Sequence, residues 1–323
     1  MQQGFLDSML FSAAVTLPNI LMLLLGIYLK KIRLINDHFS NQGSKLVFNI
    51  TLPALLFLSI IKNPTDYSAQ IILVGVGVLG CLLLFLVAEL FAARYVSDRK
   101  ERGTFVQGVF RANTGIIGLS LCANAYGSAG LAVASVYTAL ITLVFNVLAV
   151  ITLSRSLADG GRANLGYIFK QLIKNPLIIS IAAAILFSKL GFSLPTVLIS
   201  TGDYLANMTL PLALLCAGAS LNLKNMDGSS KASIKVAIWS SLGRVVVAPI
   251  MMVLIARLFG LQGMELGIIF LMSATPAAAA SYAMVRSMGG NAKTAANIIG
   301  ITTFAAMFAS SIGIIILKQL NWM

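Results

Sequence analysis

Acidic residues are scarce in this chain: ten Asp and Glu are spread over 323 residues, against 23 Lys and Arg. Histidine is scarcer still. His38 stands alone, in a basic stretch between apolar runs. With one histidine there is no HExxH metal site, and none lies in an apolar run to activate a serine. No pair of aspartates within an apolar run offers a protease dyad. Cys81, Cys122 and Cys216, the three cysteines, all fall in apolar runs, which argues against a disulfide framework. Soluble domains carry about 25% charged residues; here the charged share is 10% and the hydrophobic share 58%. Too few groups remain to build a surface facing water. An enzyme is therefore not expected, and neither a metal site nor a cofactor is called for.

What the chain has instead is apolar length. Ten spans can be drawn, at 8–29, 43–61, 69–95, 104–125, 128–153, 167–190, 201–221, 232–258, 264–285 and 292–317, each near the ~20 residues that cross a bilayer. The expected fold is an all-α polytopic membrane protein. The opening MQQGFLDSML has no basic n-region, so it reads as the lead into the first helix and not as a signal peptide. The net charge is +13, but its distribution points to topology and not to nucleic acid. Seventeen Lys and Arg fall on one set of alternate loops and four on the other, leaving Arg111 and Arg244 inside spans. By the positive-inside rule the richer set faces the cytoplasm. That places both termini on the non-cytoplasmic side of the cell (inner) membrane.

The phrase NITLPALLF at 49–57 returns as NMTLPLALL at 207–215, 158 positions later. Pro18 falls on Pro176, Lys31 on Lys189, Asn49 on Asn207, Thr51 on Thr209 and Pro53 on Pro211 in the same register. Further on, ANTG at 112–115 parallels SATP at 273–276 at an offset of 161. The pattern implies two copies of a five-helix unit, 1–158 and 159–323. Five is odd, so the second copy enters the membrane inverted, an arrangement common in secondary transporters. Each repeated proline frees the carbonyl four residues earlier, which belongs to Asn49 or Asn207. Two readings stand for Asn49, Pro53, Asn207 and Pro211: structural kinks, or polar kinks that also line a path.

The fourth and ninth spans look interrupted at mid-membrane. Arg111, Asn113, Thr114 and Gly115 follow closely in one; Ser273, Thr275 and Pro276, then Ala277, in the other. Gly115 permits a non-helical backbone, and Pro276 frees the carbonyl of Met272. A broken helix exposes a new N-terminus carrying about half a positive charge. Two such ends meeting near the bilayer centre make an anion site suited to a carboxylate. The unwound carbonyls would suit a cation instead. Charge inside a membrane is costly and faces the protein interior. Arg111 is expected either to pair with Glu89, at a similar depth, or to act as counter-charge for a substrate carboxylate. Arg244 either caps carbonyls of the broken helices or attracts an anion. Glu89 is the one deeply placed carboxylate and a candidate for proton coupling.

The stretches NITLPALLF, FRANTGIIGLSL, KNPLIISIAAAIL, NMTLPLALLCAGASL and SATPAAAASYAMVRSMGGNAKTAANIIGITT together resemble the auxin efflux carrier family. Its bacterial members include malonate and related organic-acid permeases. The resemblance covers essentially the whole chain and both repeats. It implies a scaffold of helices 1, 2, 6 and 7 (about 8–61 and 167–221) and a transport bundle of helices 3–5 and 8–10 (about 69–153 and 232–317). The bundle would move against the scaffold as an elevator, with substrate beneath the crossing of helices 4 and 9. Asn113 matches the asparagine just after the helix 4 break of plant members, and Pro276 the helix 9 proline. Where plant members have proline before that asparagine, this chain has Ala112, and the long hydrophilic central loop of many plant members is replaced by the short 154–166.

The candidate substrate-binding residues are thus Asn113, Thr114, Gly115, Arg111, Thr275, Pro276 and Ala277. The expected function is a permease for small organic anions such as mono- or dicarboxylates. The expected partners are that anion, the lipid bilayer and a second copy docked through the scaffold helices. Import or export, and H+ or Na+ as a coupling ion, are left open. The alternatives are a cation/proton antiporter, which would want acidic pairs at the crossing, and a passive channel of the same architecture.

Overall fold

The computed structural model describes residues 2–62, 67–157, 176–220 and 231–323, and these contain helices and no strand. The start of the sixth expected span, the boundary at residue 158, and Arg162, Lys170, Lys174 and Lys224 lie outside the described residues. The helices are α1 (Gln2–Lys31), α2 (Asp37–Leu46), α3 (Leu52–Lys62), α4 (Tyr67–Tyr95), α5 (Arg99–Phe110), α6 (Leu119–Leu157) and α7 (Pro176–Lys189). They continue as α8 (Thr196–Ser220), α9 (Lys231–Leu242), α10 (Ala248–Leu258), α11 (Gly263–Ser273), α12 (Ala280–Ser287) and α13 (Ala292–Gln319). Wider π-helical turns join α2 to α3 at Val47–Thr51 and α9 to α10 at Gly243–Val247, and a third at Thr114–Gly118 leads into α6. A reversal at Gly127 (φ 62°) bends α6.

Six stretches among the described residues are long and apolar enough to cross a membrane. The shorter helices Ile179–Lys189 and Gly263–Ser273 are apolar too. The chain is a multi-pass membrane protein, and α1 shows how its physics inverts that of a soluble domain. Ser8, Ser12, Thr16 and Asn19 are buried on one face of α1, while Leu6, Leu10, Leu17 and Leu21 are exposed on the other. In lipid an apolar face needs no burial, and polar groups turn inward to find partners. Here the partners lie on α13: Ser12 Oγ donates to the Ser311 carbonyl at 2.9 Å, and Gln319 Nε2 donates to Ser8 Oγ at 3.0 Å.

The first repeated phrase contains a π turn, and the second lies within a continuous α-helix. Before Pro53 the helix widens into a π turn, in which Leu52 N–H reaches the Val47 carbonyl. Asn49 Nδ2 donates to the Lys45 carbonyl at 2.8 Å and lies on the outside, as do Asn207 and Pro211; α8 runs through Pro211 unbroken. The buried polar member of each phrase is its threonine, Thr51 and Thr209.

Close approach of backbones fixes α1 against α8. A Cβ added at Gly218 would stand 2.1 Å from the Leu23 carbonyl oxygen, and one at Gly26 would stand 2.2 Å from that of Leu215. Small residues at such crossings let membrane helices meet through their backbones. Gly218→Ala is therefore expected to cost about 1–3 kcal/mol by overpacking, read as a lower unfolding temperature in detergent. Gly75→Ala is the control, because a Cβ there meets nothing within 4 Å. By helix propensity it should be neutral or stabilising by up to about 1 kcal/mol. Around α1, α3, α7 and α8 the packing is mutual; α4–α6 and α9–α13 pack chiefly among themselves, joined to the first group mainly through α1, α6 and α13.

Candidate functional site

Two helices stop inside the protein and exchange backbone hydrogen bonds where they stop. α5 ends at Phe110, Arg111 turns extended (φ −84°, ψ 91°), and the helix resumes at Thr114. α11 ends at Ser273 and helix resumes at Ala280. Between the gaps, Asn113 N–H donates to the Pro276 carbonyl at 2.9 Å and Ala278 N–H donates to the Arg111 carbonyl at 3.0 Å. Ala112 and Ala277 thus face each other as an antiparallel bridge, both buried. Small side chains allow that approach. Each interruption satisfies in the other the backbone groups it cannot bond within its own helix, as a membrane interior requires.

The remaining loose ends have named partners. Pro276 deprives the Met272 carbonyl of its helical donor, and the Thr275 hydroxyl donates to that oxygen at 3.0 Å. Ala277 N–H donates to Thr302 Oγ1 of α13 at 3.1 Å. The C-terminal ends of α5 and α11 both carry negative dipole charge, and one side chain answers both. Arg244, fully buried in the π turn Gly243–Val247, donates through Nη1 to the Val109 and Phe110 carbonyls at 3.0 Å each, and through Nη2 to the Ser273 carbonyl. Its reach depends on a tight α5–α9 contact. A Cβ at Gly108 would lie 2.3 Å from Ser240 Oγ, and one at Gly243 would lie 2.9 Å from Val109. With the carbonyl ends neutralised, the N-terminal ends at Thr114 and Ala280 remain electropositive.

Of the residues singled out in the sequence, Arg111, Asn113, Pro276 and Ala277 come together at the exchanged bonds; Thr114, Gly115 and Thr275 adjoin them in the chain. Arg111 is buried; its Nη2 donates to Asn146 Oδ1 of α6 at 2.6 Å, and its Nη1 lies against Met284 Sδ of α12. The expected Arg111–Glu89 pair is not made. Glu89 Oε1 accepts from the Thr152 hydroxyl, and Oε2 lies 3.8 Å from Arg155 Nη1. Depth was matched, but α4 turns that carboxylate toward the end of α6. Asn49, Pro53, Asn207 and Pro211 lie in α2–α3 and α8, away from the exchanged bonds.

Sequence reasoning missed three contributors. Asn19 of α1 is buried in a narrow cleft that also meets Ala274, Pro276, Thr303 and Ser310. Its Oδ1 accepts from Ser120 Oγ at 2.6 Å and Asn124 Nδ2 at 3.3 Å, while its own Nδ2 has no partner. The signal was available: Ser12, Thr16 and Asn19 form a polar row at helical spacing within an apolar run. Asn146, alone in LVFNVLAV, and Thr302 gave less warning. A second narrow cleft is lined by Thr114, Arg244, Tyr137 and Ser273 among others.

The family model described as Membrane transport protein matches residues 12–159 and 162–314. An uncharacterised transporter of Methanocaldococcus jannaschii is 25% identical over 298 residues, covering 90% of this chain and 93% of that protein. An uncharacterised transporter of Methanothermobacter thermautotrophicus is 24% identical over 269 residues, 83% of this chain and 85% of its own length.

Proposed function

The chain belongs to the membrane transport protein family, that of the auxin efflux carriers, and on that premise we propose that it is a secondary transporter of small organic anions. Substrate carboxylate binds at the exchanged bonds, against the helix starts at Thr114 and Ala280, with Asn113 and Arg111 as side-chain donors. Gly115, Thr275, Pro276 and Ala277 shape the wall. The cleft between α1 and Pro276 carries the rest of the molecule, and Asn19 Nδ2 offers it a further donor.

One observation carries the choice of an anion. Arg111 and Arg244 are both buried at the breaks, yet the ion pairs among the described residues are Lys30–Asp37, Lys62–Asp203 and Arg155–Glu89. Two buried cations with neutral partners leave positive potential where the helix ends add more. An antiporter for cations would want carboxylates there.

The same proposal takes the chain as ten spans in two inverted halves, 1–158 and 159–323, supported by the repeated phrases and the paired interruptions. α1–α3, α7 and α8 form the scaffold, through which two copies dimerise. α4–α6 and α9–α13 form a bundle that shifts as an elevator. Both termini face outward from the inner membrane.

Uptake into proteoliposomes tests it. Labelled malonate, malate, lactate and indole-acetate are offered separately, and at least one is expected to saturate and to show counterflow. Flux that rises linearly without counterflow means a channel. Uptake of cations with none of the acids means an antiporter.

A further inference from the structure

The first turn of α5 holds a carboxylate that makes no ion pair among the described residues. Glu101 is buried, with 4% of its surface exposed. Its Oε1 accepts three hydrogen bonds from neutral donors on two elements: Ser233 Oγ of α9 at 2.9 Å, and Asn291 Nδ2 at 2.6 Å and Thr294 Oγ1 at 3.0 Å at the start of α13. Its Oε2 is buried without a partner. No Lys, Arg or His among the described residues lies within 4 Å of it. The basic neighbours turn elsewhere: Arg99 donates to the Arg155 carbonyl and Arg102 to that of Val96. Lys100, Lys235 and Lys293 are exposed.

A carboxylate so placed needs a counter-charge. Burying a lone ion is costly unless it is paired or neutralised. Three donors converge on one carboxylate oxygen, and the N-terminus of α5 lies beneath it. The bare Oε2 also has company. Thr104 Oγ1, one turn further along the same face of α5, is a second buried oxygen without a partner, on a residue with 2% exposure. Two unmatched oxygens on one face beside a single negative charge fit a hard cation. With one carboxylate and no cluster of three His, Cys, Asp or Glu among the described residues, the site suits a monovalent ion better than a divalent one.

We propose that Glu101 Oε2 and Thr104 Oγ1 form part of a sodium site between α5 and α13, held in shape by Ser233, Asn291 and Thr294. The proposal rests on the transporter reading only in making that ion the coupling ion. The site joins α5, whose far end is Phe110 and the first break, to α9, which leads into the π turn of Arg244, and to α13, which carries Thr302. Sodium would thus tie together the elements that build the anion site.

The test needs sodium alone, so it stands or falls separately from the choice of organic acid. Purified protein in detergent is heated in NaCl mixed with choline chloride at constant ionic strength. A saturable rise of several degrees with sodium is expected. Glu101→Gln should abolish the rise, and Thr104→Val should raise the half-saturating sodium about tenfold, equivalent to about 1.4 kcal/mol. Thr104→Val keeps the helix and the size of the side chain, so it reports even if Glu101→Gln does not fold. No sodium-specific rise in the wild type overturns the proposal, as does an unchanged rise in Glu101→Gln or in Thr104→Val. A rise produced instead by acidifying the choline buffer, and mimicked by Glu101→Gln, overturns it in favour of a proton.

Discussion

Arg244→Met unfolds the protein more readily than any other single change at the breaks. Methionine fills similar space but donates nothing, so the carbonyls of Val109, Phe110 and Ser273 lose their charged donor together. A buried acceptor left unmatched costs about 1–3 kcal/mol, and three of them place the loss at about 3 kcal/mol or more. The ends of α5 and α11 would also face each other as uncompensated negative dipoles. The expected readout is a large fall in unfolding temperature in detergent, with uptake lost because the breaks no longer align. Arg244→Lys keeps the charge but not the planar fork that reaches two helices at once, so it should recover stability only in part. If Arg244 instead served mainly to attract the anion, Arg244→Met would keep its unfolding temperature and lose only the shift that ligand binding adds. That outcome would remove the clamp from the account.

The interruptions were legible because each breaks a rule that apolar helices otherwise obey. Gly115 and three polar neighbours stand in mid-span on one side, and Pro276 with Ser273 and Thr275 on the other. What joins them was not legible. The Thr275 hydroxyl on the Met272 carbonyl is local and could have been drawn from the proline; Thr302 on Ala277 N–H depends on how α13 packs. The Arg111–Glu89 pair failed for a physical reason. Counting 1.5 Å per residue gives depth but not direction around the helix, and Glu89 faces Thr152 and Arg155. Glu101 escaped because the fourth span was begun at residue 104, whereas α5 starts at Arg99 behind the Asp98 cap. Its apolar share reads as loop, yet the first turn is packed against α9 and α13. The repeated Asn and Pro drew attention that their buried threonines had the better claim to, since a polar side chain on the lipid side of a helix reads the same as one facing inward.

Arg111→Gln should behave in the opposite way to Arg244→Met. The Arg111 guanidinium bonds a side-chain amide, Asn146, and rests on a thioether, Met284. Among the described residues no backbone carbonyl depends on it and no acid pairs with it. In the empty protein it is therefore a buried charge without an opposite, which costs free energy and does not contribute it. Glutamine removes the charge and retains a donor, so the ligand-free unfolding temperature is expected to hold or rise. Binding of the anion should suffer instead. Losing one partner of a buried, hydrogen-bonded charge pair costs about 2–5 kcal/mol, and tenfold in affinity is about 1.4 kcal/mol, so the half-saturating concentration should rise at least about tenfold. Thermal shift with the transported acid and initial uptake rates read the two effects separately. Asn146→Ala supplies the control for orientation: it leaves the charge in place but frees the guanidinium, so binding should weaken by less than in Arg111→Gln. A variant Arg111→Gln that loses stability and uptake in equal measure would make Arg111 a structural post between α5 and α6. The electropositive centre would then rest on Arg244 and the helix ends alone, and Arg244 already spends its three observed hydrogen bonds on carbonyls.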